Sequence, residues 1–398
     1  MSVEDDHLAQ AVEALDALGE FEHPWMRGGL AGIPRHRFVP DTVWIPDAGG
    51  GYRALERAVE PERWAEAVYA PQDPLVVQVD DGRPALPGIG RAASSSISAP
   101  SAVLFMLRAL DVQPGDRVLE IGAGTGWNAA LLCERAGPDR VCTVEIDPAL
   151  AARARQALEA AGRRVDVVCG DGELGHREHA PFERVIATAA VGRIPHAWIE
   201  QCAPGGVIVA PRIVPFHQGG LLRLVVGDDG TASGSFDGGV MFMPTRGQRR
   251  PRFDPATLIS DDAWERSVED TTALDVAALD DVHARFAVSL RVPDVHHLLE
   301  PDRGRGRTLW LGDAAGTSWA VVRTATDGDG DGGDGGDDVN RFGPRDLARE
   351  VHDALVLWEK AQQPRLWDFH ATVTPQGTTY RVGDTDQPFA QDPGPPGR

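Results

Sequence analysis

At 398 residues the chain is longer than one typical domain, and its 60 acidic against 39 basic residues give a formal net charge of -21. That balance excludes non-specific binding to nucleic acid or to an anionic membrane, because both need clustered positive charge. The four cysteines, Cys133, Cys142, Cys169 and Cys202, lie far apart with no C-x-x-C pair. This spacing argues against a zinc site or a disulfide framework and for reduced core thiols, so no metal is expected. The start of the chain is acidic and lacks an apolar signal core, and no apolar run is long enough to cross a bilayer. The expectation is a soluble, cytoplasmic protein.

The spacing of Leu8, Val12, Leu15 and Leu18 predicts a helix over 7–19, ending at Gly19. A proline-bracketed segment, Ile33 to Pro40, follows, and then Tyr69-Ala70 and a strand-like run from Leu75 to Val79. Turn-rich residues lead to Ser94-Ser95-Ser96-Ile97-Ser98-Ala99-Pro100, after which Val103, Leu104, Leu107 and Leu110 form the buried face of a helix. Arg117 to Ile121 reads as a strand that ends in Gly122-x-Gly124-x-Gly126, and an alanine- and leucine-rich helix runs from Trp127 to Arg135. Glycines in a strand–turn–helix let the backbone approach a ligand. Further strands are expected at Arg140 to Asp147, Val165 to Cys169, Arg184 to Thr188 and Val207 to Ala210, with helices between them. That alternation predicts an α/β fold with a parallel, doubly wound sheet whose ligand residues gather at the strands' carboxyl ends.

Beyond about residue 216 the character changes. Leu221 to Val226 reads as a closing strand. Arg246, Arg249, Arg250 and Arg252 form a basic linker, read as solvated or as a site for an acidic leader peptide. The remainder suggests a small α+β domain. Its expected strands are Phe286 to Val292, Thr308 to Gly312, Ser318 to Thr324, Phe369 to Val373 and Thr378 to Val382, with a helix over 344–361. Trp310, Trp319, Trp358 and Trp367 are core residues or a peptide groove. His296 and His297 are structural. The Asp/Gly run over 327–338 starts like a calcium loop but lacks the closing glutamate and a preceding helix, and is expected to be disordered.

The third glycine of the loop comes one residue earlier than in a dinucleotide site. The tighter form resembles motif I of the S-adenosylmethionine (SAM) methyltransferases. Further signatures follow in order: Ile33 to Pro40, Tyr69-Ala70, Ser96 to Pro100, Gly170-Asp171-Gly172, Thr188-Ala189-Ala190, Ile194-Pro195 and Pro204-Gly205-Gly206. Together they make the stretch from about 8 to 230 similar to the protein-L-isoaspartate O-methyltransferase family. The resemblance implies a Rossmann-like class I SAM methyltransferase with a smaller C-terminal α+β domain. It divides the chain into an N-terminal helical and cap segment (1–95), a SAM-binding core (96–245) and an extension (246–398).

The resemblance implies that Gly122, Ala123, Gly124 and Gly126 form the cofactor loop. Glu120 would face the cationic methionine end of SAM. Glu145 would accept bonds from the ribose hydroxyls, with Ile146 beside it, and Asp171 and Gly172 would read the adenine edge. Capping of the next helix is the plainer role for Glu145, and a tight turn for Asp171. Ser98 would position the acceptor carboxylate, with Ser96 where the family often has threonine and Thr188 lining the acceptor groove; helix capping is the plainer role for Ser98. The acceptor would be an aspartyl or isoaspartyl side chain of a peptide or protein. Repair enzymes of the family generally end near residue 246. The extension therefore resembles actinobacterial relatives associated with ribosomally made, modified peptides.

Overall fold

The computed structural model describes residues 2–84, 86–250, 253–300, 306–324, 337–383, 385 and 387–393. The chain forms two compact units. One comprises Met1–Pro211, Leu221–Ala232 and Phe242–Gly247; the other comprises Arg212–Gly220, Ser233–Met241 and Gln248–Arg398.

The first unit is built on a parallel sheet. Its strands stand in the order Asp166–Cys169, Val141–Glu145, Val118–Ile121, Phe182–Ala187, Cys202–Val214, and His217–Val226 lies beyond. Val118–Ile121 and Val141–Glu145 are buried at every position, as expected for strands covered on both faces. Helices Pro100–Leu110, Trp127–Ala136 and Pro148–Ala160 connect or precede them. Strand order reverses between Val118–Ile121 and Phe182–Ala187, which pair in parallel with Ile121 opposite Ala187. A doubly wound sheet opens a crevice outside the carboxyl ends at such a reversal.

The first 95 residues are not only helical. Helices Val3–Ala17, Pro24–Gly32 and Pro61–Tyr69 accompany a five-stranded antiparallel sheet in the order Ile89–Gly90, Tyr52–Glu56, Thr42–Pro46, Leu75–Val79, Ala93–Ile97. The serine run thus lies on the edge strand of this sheet.

The second unit is α+β. An antiparallel sheet runs Val268–Thr272, Asp337–Phe342, Trp319–Arg323, Thr308–Asp313, Val295–Glu300. Another set follows the order Ala232–Gly239, Phe369–Thr374, Gly377–Val382, Ala390–Pro393. One expected strand is a helix: Val282–Arg291 replaces the strand over 286–292, and Asp281 caps it by accepting from the amides of His283 and Ala284. Trp319 and Trp358 are buried, Trp310 packs beside Trp319, and Trp367 is 46% exposed. His297 stacks on Phe216 and His296 on Phe253. The Asp/Gly run falls mostly at 325–336, outside the described residues. Among the described residues no helix is long and apolar enough to cross a membrane.

Candidate active site

The glycine loop begins where Val118–Ile121 ends. Gly122, Gly124 and Gly126 have φ of 95°, 53° and 86°, a left-handed path that a side chain would strain. Space imposes the same choice at Gly126, where an added Cβ would lie 3.3 Å from both the Ala154 carbonyl and Leu158. Ala123 is buried. The loop is held from two sides. The hydroxyl of Thr188 donates to the Gly122 carbonyl at 2.6 Å, with that of Ile121 3.2 Å away. The amide of Gly124 donates to Glu145 Oε2 at 2.9 Å.

Glu145 ends its strand, and its Oε1 accepts from the Asp147 amide at 3.0 Å. Each carboxylate oxygen still has acceptor capacity, because an ionised carboxylate offers about four lone-pair sites. Asp147, not Glu145, caps helix Pro148–Ala160, with Oδ1 accepting from Ala149 and Leu150. Between the two acids Ile146 is 41% exposed. At the end of the neighbouring strand Asp171 is exposed and caps the single turn Gly172–Leu174, accepting from Glu173 at 3.0 Å. That turn is fixed from below. Trp198 Nε1 donates to the Gly172 carbonyl at 2.8 Å, and Gln201 bonds both the Leu174 carbonyl and the His176 amide. A Cβ on Gly172 would lie 2.5 Å from Ile121 Cγ2, so the turn sits directly against the central strand.

Glu120 does not face this crevice. It is fully buried, and its two oxygens accept from Asn128 Nδ2 at 2.7 Å and Thr143 Oγ1 at 2.5 Å. Burial raises its pKa to about 7 despite those two bonds. Buried, with both oxygens bonded, this carboxyl joins strands and helix beneath the loop, and burial disfavours its charged form.

The serine segment lies beside the loop. A Cβ on Gly124 would stand 3.6 Å from the Ser96 carbonyl and 3.9 Å from Ser95 Oγ. Ser98 is not a helix cap, since the cap position is Ala99 and carries no side-chain bond. The backbone here is fixed by Arg35, within the proline-bracketed segment. This guanidinium is 1% exposed and donates to the carbonyls of Val68, Ile97 and Ser98, the last at 2.7 Å. Burial lowers its pKa to about 9, which leaves it cationic at neutral pH. Trp127 Nε1 donates to the Ile33 carbonyl, joining the same segment to the first turn after the loop.

Residues 242–247 complete this end of the unit. Ala190 donates to the Met243 carbonyl and accepts from the Thr245 amide, at 2.8 and 2.9 Å. Arg246 then reaches Asp147 Oδ2 at 2.8 Å, Gln78 at 3.3 Å and Asp81 at 3.4 Å. It is therefore an ion-paired part of the fold, not a solvated linker residue. Burial alone would raise the Asp147 pKa. The bonds from Gln78, Arg246 and the two capping amides outweigh it and bring the group down to about 2. Sequence reasoning missed Arg35, Gln78, Asp147 and Arg246 as parts of the site. Only Arg35, a cation inside an apolar, proline-bracketed run, left a local signal.

The parallel sheet, the glycine turn and the acid at the end of the adjacent strand define a class I SAM-dependent methyltransferase. A family model described as protein-L-isoaspartate(D-aspartate) O-methyltransferase matches residues 70–250. The protein-L-isoaspartate O-methyltransferase of Methanopyrus kandleri is 34% identical over 240 residues, 60% of this chain and 90% of that one. The protein of that name from Anaeromyxobacter dehalogenans is 50% identical over 118 residues, 29% of this chain and 56% of its own length. This chain belongs to the protein-L-isoaspartate O-methyltransferase family. A solved structure of the same name matches with a TM-score of 0.53 at 19% identity, covering 94% of this chain and 99% of that one. That likeness concerns the fold alone, but it runs far beyond residue 246.

Proposed function

We propose that this chain transfers a methyl group from SAM to the free carboxylate of an aspartyl or isoaspartyl residue in a peptide, so that the ester closes to a succinimide. The observation that carries the reading is the junction of Gly124, Glu145 and the Ser96 backbone, which sets a cofactor loop against an acceptor segment.

The donor set suits the adenosine part of SAM. The remaining acceptor capacity of Glu145 fits two ribose hydroxyls, the exposed face of Ile146 fits a purine, and Asp171 with the Gly172 amide fits the adenine edge. The stretch Glu120 to Gly126 holds no cation for a pyrophosphate. SAM supplies an electrophilic methyl on a sulfonium when bound. The chain's own task is to hold the acceptor oxygen in line with it. Ser98, its backbone fixed by Arg35, orients the carboxylate. No strong base is required, because the acceptor is ionised at neutral pH. The following backbone nitrogen of the peptide attacks the ester carbonyl, methanol leaves and the ring closes; water then reopens it.

A second reading places the reaction in the maturation of a ribosomally made peptide, starting from normal aspartate. It rests on the resemblance of the extension beyond residue 246 to the relatives associated with ribosomally made, modified peptides. Labelled SAM offered with an isoaspartyl peptide and with an aspartate-bearing macrocyclic precursor tests both. Methylation of neither removes the enzymatic reading, and methylation of the isoaspartyl peptide alone removes the maturation reading.

A further inference from the structure

Away from the cofactor crevice, four metal-ligating side chains of three types converge at the sheet's edge. Cys142 lies on strand Val141–Glu145 directly opposite Asp166, the first residue of the edge strand Asp166–Cys169, so the two side chains share a face. His176 and His179 arrive from the segment that follows the edge strand. They sit at the cap and last residue of a single 3-10 turn, Arg177–His179, and side chains three apart in such a turn eclipse one another. Their rings are 4.8 Å apart at 87°, and His179 Nδ1 is 3.3 Å from Asp166 Oδ2. One ligand atom from each of the four residues lies within 4.8 Å of all the others.

We infer that Cys142, Asp166, His176 and His179 form a divalent-metal site of zinc type. A thiolate, a carboxylate and two neutral imidazoles match the tetrahedral S/N/O preference of zinc and just balance its two positive charges. Tetrahedral zinc with bonds of about 2.0–2.3 Å places its ligand atoms about 3.3–3.8 Å apart. The four ligand atoms, all within 4.8 Å of one another, stand close to that spacing, and Asp166 and His179 are exposed. The thiol proton of Cys142 passes to solvent as the metal enters.

An ordinary ion pair between Asp166 and His179 is the competing account, but it gives no role to the buried thiol facing them. It would also be worth little at this exposure. The metal has a clear mechanical effect. Trp198 and Gln201 hold the front of the segment, Gly172 to His176, and the exposed pair Arg177–Glu200, at 2.8 Å, ties its rear to the same helix His196–Gln201. Ligation by His176 and His179 would join that rear part to both outer strands. The spacing of the ligands, 24 residues from Cys142 to Asp166 and then a short H-x-x-H, contains no cysteine pair. This is why a reading based on C-x-x-C spacing passes over it.

The test is a cobalt titration of the chelator-treated, full-length protein, read by absorbance and followed by zinc competition. About one equivalent should bind, with a thiolate-to-cobalt charge-transfer band that zinc abolishes. His179→Ala and Asp166→Ala should each weaken binding by more than the 10- to 100-fold typical of losing an outer-shell partner, and Cys142→Ser should remove the charge-transfer band. Both Ala variants alter exposed side chains, and an unchanged metal-free thermal melt verifies their folding, so the inference does not depend on the buried serine variant folding. Absence of the charge-transfer band in the unmodified protein, or equal affinity in the folded His179→Ala variant, overturns it.

Discussion

Arg35 donates to the backbone carbonyl of Ser98 at 2.7 Å from a position with no solvent around it. The same guanidinium serves Ile97 and Val68, so one buried cation fixes the path of the acceptor segment through main-chain oxygens alone. A planar fork of donors suits this task, and a lysine ammonium does not.

Arg35→Met should therefore lower stability by about 3 kcal/mol or more, since each buried carbonyl left without a donor costs about 1–3 kcal/mol. Urea unfolding checks the loss. Methyl transfer should fall while affinity for S-adenosylhomocysteine stays near that of the unmodified protein, because Arg35 touches the serine segment and not the glycine loop. Arg35→Lys should fall between the two.

Glu145→Ala should weaken S-adenosylhomocysteine binding by about 10- to 100-fold, the range expected for losing hydrogen bonds to a charged group. Gly172→Ala should weaken it too, by a different route: its Cβ would meet Ile121 Cγ2 at 2.5 Å and push the Asp171 turn off the central strand. Both variants should also lower the melting temperature, Glu145→Ala because it unpairs the amides of Gly124 and Asp147 and Gly172→Ala because it displaces the turn, and calorimetry of the metal-free, ligand-free proteins measures each loss.

Glu120 carries a distinct pH signature. Its folded pKa of about 7 lies above the ordinary 4.5, so between those values the folded state holds a proton that the unfolded state has released. Its contribution to stability is therefore complete below about 4.5 and is lost as pH rises towards 7. Unfolding free energies of Glu120→Gln should lack that slope, and the difference from the unmodified protein across this window isolates the residue.

Asp147 behaves in the opposite sense. Its folded pKa of about 2 lies below the ordinary 3.8, so its stabilisation is present above 3.8 and disappears as pH falls through about 2. Asp147→Asn should keep the helix cap but lose the charge pairing with Arg246, and Asp147→Ala should lose both. The two should differ by about 1 kcal/mol at neutral pH, the usual value of an N-cap side chain. Acid denaturation of Asp147→Asn should lack this residue's share of the slope between about 3.8 and 2, and the difference from the unmodified protein isolates it.

The strands of the first unit were legible because each is a short, nearly continuous apolar run between turn residues, and both faces of such strands are buried. The same rule misread Phe286 to Val292. Phe286, Val288 and Leu290 alternate like a strand, yet Ala287 and Ser289 between them are buried as well, which suits a helix covered on most sides. Asp281 at the cap was the signal that separates the two cases. Helix Pro61–Tyr69, with proline in its first turn, was passed over in the same way. In the site, the glycines and acids at strand ends could be named because their roles are local. Glu120 could not be judged from its position next to the loop, because only the neighbours Asn128 and Thr143 reveal that it points inward. The partners of Arg246, up to 168 positions away in the chain, leave no trace in a linear reading.

That last contact sets where a working fragment of this protein must end. A piece stopped after the last strand of the first unit would retain the glycine loop, Glu145 and the serine segment. It would lack Met243 and Thr245 against Ala190, and it would leave Asp147 and Asp81 without their shared cation. Screening for a minimal cofactor-binding fragment should therefore carry the sequence through Gly247.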